Sequence, residues 1–127
     1  MNTALPKIMI VDDSSTILAS ALKFLKPDFE VFTVNDGYKC LAAVMEVRPD
    51  VLFLDLTMPH LNGYQALAAI RDNPEFERLP IIILSGRDSP FDKARARLMG
   101  CDAYLQKPFE RADMLEMIRR YLPSDGV

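Results

Sequence analysis

The chain has 127 residues, of which 50% are apolar and 26% are charged, so its length and composition suit one globular domain with a buried core. Lys and Arg total 15 against 18 Asp and Glu, and the net charge of −3 argues against a nucleic-acid-binding surface. Two cysteines and one histidine exclude a disulfide framework and a tetrahedral zinc site. The longest apolar run is residues 40–45 and no signal-peptide pattern is present, so we expect a soluble cytoplasmic protein with no membrane partner.

Five short runs of apolar and β-branched residues predict β-strands. They are nearly continuous rather than alternating, which is typical of strands that are covered on both faces. In chain order the runs are residues 7–12, 31–34, 51–56, 81–84 and, more weakly, 103–106.

A segment with helical spacing of apolar residues follows each strand run. Each segment carries one apolar stripe, which predicts an amphipathic helix packed on the sheet. The stripes are Ile17, Ala21, Phe24 and Leu25; Leu41, Val44 and Met45; Tyr64, Leu67 and Ala68; Phe91, Ala94 and Leu98; and Leu115, Ile118 and Leu122.

Capping residues support these helices. Ser14, Asp36 and Ser89 are suited to N-caps, Pro90 to a first helical position, and Gly100 to the position just after a helix. Five strand–helix units with short connections predict an open, doubly wound parallel sheet with helices on both faces. The chain is too short for an eight-unit barrel, which needs about 250 residues.

Polar residues stand where the predicted strands end. Asp12 and Asp13 follow the first strand, Asp55 ends the third, Ser85 follows the fourth, and Lys107 follows the fifth. Because ligands bind beyond the carboxyl ends of parallel strands, we expect these side chains to form one site.

The chemistry of this set favours phosphoryl transfer. Crowded carboxylates repel one another, and Mg²⁺ relieves that repulsion through the oxygen ligands it prefers. Asp55 is the best candidate for a nucleophile on phosphorus, because it ends a buried strand and leads into an open loop. Asp12 and Asp13 suit the metal, while Lys107 and Ser85 suit the transferred oxygens.

These motifs resemble the receiver domain of two-component response regulators, the CheY-like family. The matching stretches are residues 11–14 (VDDS), 55–63 (DLTMPHLNG), 85–86 (SG) and 107–109 (KPF). The resemblance covers residues 6–122. It implies a flavodoxin-like fold with strand order 2-1-3-4-5, and a single receiver domain over residues 1–127 without an output domain.

The resemblance also implies the role of each site residue. Asp55 is the residue that a partner histidine kinase phosphorylates. Asp13 and Asp55 bind Mg²⁺ directly, Asp12 acts mainly through water, and the backbone carbonyl of Thr57 completes the protein ligands. Lys107 pairs with the phosphoryl group, and its peptide bond to the following proline is cis.

A switch pair follows from the same resemblance. On phosphorylation the Ser85 hydroxyl moves toward the phosphoryl group and the Tyr104 ring turns inward. This movement reshapes the surface made by the fourth helix, the fifth strand and the fifth helix, through which a downstream protein binds. Thr57 and Arg87 occupy the two positions that tune autodephosphorylation in this family.

Residues 86–109 resemble a narrower group, the PilG-like single-domain receivers of type IV pilus twitching motility. Within this stretch Lys93, Arg95 and Arg97 form a basic patch on the fourth helix. The patch is interpreted either as a solvated helix face or as a docking surface for an acidic partner segment.

The same residue types also suit other functions. A haloacid-dehalogenase-type phosphohydrolase uses similar groups but needs a second aspartate two residues after the nucleophile, where this chain has Thr57. The protein is therefore expected not to be an enzyme with turnover. A phosphate-independent scaffold and a phosphate sink that drains a kinase are the remaining alternatives.

Five further residues are expected to have packing or surface roles. Cys40 and Cys101 are interpreted as small apolar fillers, Met114 and Met117 as core or rim packing, and His60 as loop surface.

Overall fold

Five β-strands alternate with five α-helices in the computed structural model, which describes residues 4–57, 63–86 and 89–122. The strands are β1 (Lys7–Val11), β2 (Glu30–Val34), β3 (Val51–Asp55), β4 (Ile81–Ser85) and β5 (Ala103–Gln106). The helices are α1 (Ser15–Leu25), α2 (Cys40–Val47), α3 (Gly63–Arg71), α4 (Pro90–Leu98) and α5 (Arg111–Tyr121). This alternation confirms the five predicted strand–helix units.

The strands form one parallel sheet in the order β2-β1-β3-β4-β5, which confirms the predicted fold class. The order reverses between β1 and β3, so a crevice opens where the carboxyl ends of these two central strands meet. The residues that follow β1 and end β3 therefore stand side by side.

The core lies in two layers because successive side chains of a strand point to opposite faces of the sheet. In β3, Val51 and Phe53 pack with α1 and α5, whereas Leu52 and Leu54 pack with α2, α3 and α4. All five residues of β3 and of β4 are buried. This double coverage explains the continuous apolar runs in the sequence.

The helix ends follow the predicted capping chemistry. The Ser14 and Ser89 hydroxyls accept backbone N–H groups at the starts of α1 and α4, and Pro90 opens α4. Gly100 adopts φ +105° just beyond α4, a conformation that favours glycine. Asp36 does not cap α2 directly. It caps the short 3₁₀ turn Gly37–Lys39, which leads into α2. No helix in the described ranges is long and apolar enough to cross a bilayer.

The apolar stripe of α4 differs from the prediction. Phe91 and Leu98 are 74% and 89% exposed, and Ala94 is exposed as well. The helix instead turns Ala96 into the core. Helical periodicity identifies an apolar face, but it does not reveal whether the fold of the same chain covers that face.

Single residues of other stripes also depart from the prediction, because each helix meets the sheet along a narrower line. Met45 in α2 is 46% exposed and Ala68 in α3 is exposed. The interpretation of Met114, Cys40 and Cys101 as core residues is confirmed, since all three are buried.

Candidate functional site

Three carboxylates meet at the crevice between β1 and β3. Asp12 follows β1 and is fully buried, while Asp55 ends β3 and is 2% exposed. Asp13 is exposed at the rim. One ligand oxygen from each of the three lies within 4.8 Å of the other two. The structure therefore brings the predicted acidic residues together.

The loops that follow the strands fix the orientation of the two buried carboxylates. Asp12 Oδ1 accepts a hydrogen bond from the backbone N–H of Ser14 at 2.9 Å. Asp55 Oδ1 accepts one from the backbone N–H of Thr57 at 3.0 Å. Each bond engages one oxygen and leaves the second oxygen, Oδ2, facing its neighbours.

Lys107 carries the positive charge of the site. Its Nζ lies 2.7 Å from Asp12 Oδ2 and 3.4 Å from Asp55 Oδ2. Its backbone N–H donates to the carbonyl of Ser85 at 2.7 Å, which holds the start of the loop against β4. The peptide bond between Lys107 and Pro108 is cis, as the resemblance implied, and so is the bond between Lys26 and Pro27.

The surroundings of Asp55 raise its pKa to about 6. Burial is the main cause, because it penalises the charged form. The negative charge of Asp12 raises the pKa further, whereas the Thr57 N–H and the Lys107 ammonium lower it. At neutral pH the carboxylate of Asp55 is therefore largely ionised, which suits a nucleophile.

The residues of the site fit a magnesium ion. Three carboxylates face one ammonium, so an excess of negative charge remains at the crevice. Asp12 Oδ2 is buried, and among the described residues no group donates a hydrogen bond to it. The Lys107 ammonium forms an ion pair with this oxygen, but its geometry is not that of a hydrogen bond. Carboxylate oxygens and retained waters are the ligands that Mg²⁺ prefers, so this group of three carboxylates suits the ion.

Ser85 and Tyr104 lie on the neighbouring strands β4 and β5. Ser85 ends β4, is 2% exposed, and pairs in the sheet with Gln106, two residues beyond Tyr104. Tyr104 is half-buried against the same core layer as α4. Arg87 and His60 lie outside the described residues.

Tyr64 at the start of α3 contacts α4, a feature that the sequence analysis missed. Helical spacing predicted Tyr64 in a core stripe, and it is indeed buried. Its hydroxyl donates to Asp92 Oδ1 at 3.2 Å, and the Arg95 guanidinium stacks over its ring at 4.0 Å. The signal in the sequence is an aromatic residue directly after Gly63.

Comparison with known proteins identifies the family. The family model for the response regulator receiver domain matches residues 8–119. The chain belongs to this family. Receiver domains are phosphoacceptor domains of signalling proteins, in agreement with the acidic crevice and its ammonium.

Two curated relatives illustrate how the receiver domain is used. The chain is 42% identical over 119 residues to Protein PilG of Pseudomonas aeruginosa, covering 93% of this chain and 88% of PilG. It is 37% identical over 124 residues to the transcriptional regulatory protein PrrA of Mycobacterium tuberculosis, covering 95% of this chain. Only 52% of PrrA is matched, so the receiver domain spans about half of that relative.

Solved structures show the same receiver fold. The chemotaxis response regulator CheY4 of Vibrio cholerae has a TM-score of 0.87 and 31% identity, covering 94% of this chain and all of CheY4. The receiver domain of the sensor histidine kinase PA1611 of Pseudomonas aeruginosa has a TM-score of 0.86 and 29% identity, covering 95% of this chain and all of that domain. The second structure holds a magnesium ion in its active-site cleft.

Proposed function

We propose that Asp55 accepts a phosphoryl group from a phosphohistidine of a sensor histidine kinase. A carboxylate oxygen of Asp55 bonds to phosphorus while the phosphorus–nitrogen bond breaks, and the histidine nitrogen keeps the electron pair and takes up a proton. The observation that carries this proposal is a buried carboxylate at a strand end with an ammonium 3.4 Å away. The product is an acyl phosphate held within the crevice.

Mg²⁺ is the proposed cofactor, held by Asp13, Asp55 and the backbone carbonyl of Thr57, with Asp12 acting through water. The ion supplies charge neutralisation for the transferred oxygens. Lys107 is proposed to pair with the phosphoryl group. The Asp55–Thr57 backbone hydrogen bond orients the nucleophile.

Ser85 and Tyr104 are the proposed switch pair. The Ser85 hydroxyl would donate to a phosphoryl oxygen, and the Tyr104 ring would follow it inward. In support, Ser85 ends the strand next to the one that carries Tyr104, and the Lys93 ammonium lies 5.7 Å from the centre of the Tyr104 ring. A movement of this ring is therefore expected to change the contacts of α4.

The surface of α4, β5 and α5 is the proposed docking site for a downstream protein. The exposed side chains of Phe91 and Leu98 offer apolar area, and Lys93 and Arg97 add positive charge beside it. Such a surface fits an amphipathic segment with acidic residues. The runner-up is a phosphate sink, in which this surface binds no target.

The biological setting is inferred from the relatives. Identity of 42% to PilG supports a role in type IV pilus or chemotaxis-like signalling in the cytoplasm. We further propose that residues 6–122 form the core of the receiver domain. The proposed partners are proteins, a sensor histidine kinase and a downstream target, rather than nucleic acid or a membrane.

Two alternatives compete with this proposal. A haloacid-dehalogenase-type phosphohydrolase needs a general acid two residues after the nucleophile, and Thr57 at that position has no carboxyl group. A phosphate-independent scaffold has no need for a buried carboxylate pair beside an ammonium. We therefore propose a phosphoacceptor without substrate turnover.

The test is intact-mass analysis after incubation with acetyl phosphate and Mg²⁺, with and without EDTA. We expect one metal-dependent, hydroxylamine-labile phosphoryl group on the wild type and none on Asp55→Asn. The matched control Asp72→Asn alters an exposed aspartate and should be labelled like the wild type.

Three outcomes would overturn the proposal. Labelling of Asp55→Asn would place the acceptor elsewhere. Catalytic release of phosphate without an adduct would indicate the hydrolase. Neither adduct nor turnover, even with a histidine kinase as donor, would indicate the scaffold.

A further inference from the structure

The position of α4 depends on few buried side chains. The structure describes every residue of this helix, and Ala96 is its one buried residue. Phe91 and Leu98 point away from the core. Because burial of one small side chain gives little anchoring, polar and aromatic contacts decide where α4 lies.

Tyr64 contacts two residues of α4, Asp92 and Arg95. Its hydroxyl donates to Asp92 Oδ1 at 3.2 Å in the first turn of the helix. One turn later, the Arg95 guanidinium lies 4.0 Å from the centre of its ring. The first contact is a charge-assisted hydrogen bond and the second a cation–π contact, and Tyr64 itself is only 8% exposed.

The residue before Tyr64 abuts the backbone of Asp55. The Gly63 N–H donates to the carbonyl of Leu56 at 3.0 Å. A Cβ atom at Gly63 would lie 2.5 Å from the carbonyl oxygen of Asp55, so only glycine permits this approach. The start of α3 is thus in direct contact with the strand end that carries Asp55.

We propose that Tyr64 is a positioning residue that transmits a change at Asp55 to α4, in parallel with Ser85 and Tyr104. The path runs from the Asp55 backbone through Gly63 to Tyr64 and then across to Asp92. It joins two elements, β3 and α4, through contacts with short, defined geometry. The proposal rests on Asp55 as the phosphoacceptor.

The test uses beryllofluoride with Mg²⁺ as a phosphoryl analogue and amide NMR as the readout. In the wild type we expect displaced amide signals at Ser85, at Tyr104 and along residues 92–98. In Tyr64→Phe, which keeps the ring but removes the hydroxyl, the displacement along residues 92–98 should fall about twofold or more. The displacement at Ser85 should persist, since the analogue still binds.

Matched variants separate transmission from a merely structural role. Tyr121→Phe removes a hydroxyl that donates to the Asp102 carbonyl at 3.1 Å, and it should leave the α4 response unchanged. Asp92→Asn keeps an acceptor for the Tyr64 hydroxyl and should restore the response that Asp92→Ala loses. The double variant Tyr64→Phe with Asp92→Ala should respond like Tyr64→Phe alone. The phenylalanine has already lost the hydroxyl that bonds to the Asp92 carboxylate at 3.2 Å and contacts the Asp92 carbonyl at 3.5 Å.

The inference would be overturned if α4 in Tyr64→Phe responded as fully as in the wild type. If Tyr64→Phe did not fold, a full response in Asp92→Ala would overturn it. An equal loss in Tyr121→Phe would overturn it too, since general destabilisation would then be the cause. Failure of the wild type to bind the analogue would instead contradict the proposed function. The two failures are therefore distinguishable.

Discussion

At the scale of single residues, Lys107 balances part of the charge of two buried carboxylates. Its ammonium lies 2.7 Å from Asp12 and 3.4 Å from Asp55, and its side chain is 19% exposed. Removing one partner of a buried ion pair lowers the free energy of unfolding by more than the intact pair contributes to it, because the remaining charge is left uncompensated. The same ammonium repels a divalent cation.

Replacing Lys107 with alanine should therefore have opposite effects on folding and on metal binding. In EDTA we expect Lys107→Ala to lower the free energy of unfolding by about 3 kcal/mol, measured by urea denaturation. Magnesium should still bind, and more tightly than to the wild type, because the competing ammonium is gone. Phosphorylation of this variant should no longer displace the NMR signals of Tyr104.

The control is Lys23→Ala, which removes an exposed lysine from α1 and should change neither quantity. Weaker magnesium binding by Lys107→Ala would contradict the electrostatic argument. A wild-type shift at Tyr104 would contradict the proposed role of Lys107 in switching.

At the scale of elements, α4 has clear capping signals at both ends but buries little side-chain area against the sheet. Ser89 caps it, Pro90 begins it, and Gly100 follows it with a positive φ. These features are local, and each was visible in the sequence. The side of the helix that meets the sheet carries Ala96, whereas Leu98 faces solvent.

Substitutions on the two sides of α4 should differ sharply. Leu98→Ser should change the free energy of unfolding by no more than about 0.5 kcal/mol, because the side chain is already hydrated. Ala96→Leu should cost about 1–3 kcal/mol, because the core has no room for the added atoms. Urea denaturation measures both, and a large loss of stability in Leu98→Ser would show that this side chain is covered.

At the scale of the whole molecule, a second polar cluster lies at the amino ends of β4 and β5, at the opposite end of the strands from the acidic crevice. Arg71 at the end of α3 donates from Nε to the Gly100 carbonyl at 2.8 Å and from Nη1 to the Phe76 carbonyl at 2.7 Å. Its Nη2 lies 3.0 Å from Asp102 Oδ2. That same oxygen accepts the backbone N–H of Ile81, the first residue of β4, at 2.8 Å.

Loss of this cluster should weaken folding without altering the chemistry at the crevice. Arg71→Ala should lower the free energy of unfolding by about 2–3 kcal/mol, because it removes one charged donor from two carbonyls and the ion-pair partner of Asp102. Labelling by acetyl phosphate at a temperature where the variant is folded should equal that of the wild type.

The matched control is Arg120→Ala, which removes an exposed pair with Glu116 and should cost less than about 0.5 kcal/mol. Equal losses in the two variants would show that the half-buried position of Arg71 adds nothing to stability. A slower labelling of Arg71→Ala would show that the two ends of the strands are coupled.

The sequence by itself determined the fold class and which residues meet in the acidic site. Continuous apolar runs mark strands buried on both faces, and the residues that follow parallel strands must meet at one edge of the sheet. Asp12, Asp55 and Lys107 could therefore be placed together from their positions alone. Their roles in phosphoryl transfer remain predictions.

Only the tertiary structure decided how the helices are joined to one another. The bond between Tyr64 and Asp92 spans 28 positions, and the ion pair between Arg71 and Asp102 spans 31. Periodicity reports on neighbours within one helix, whereas these partners meet through the packing of separate elements. For the same reason the sequence showed the apolar face of α4, and only the fold showed that it leaves Leu98 in solvent.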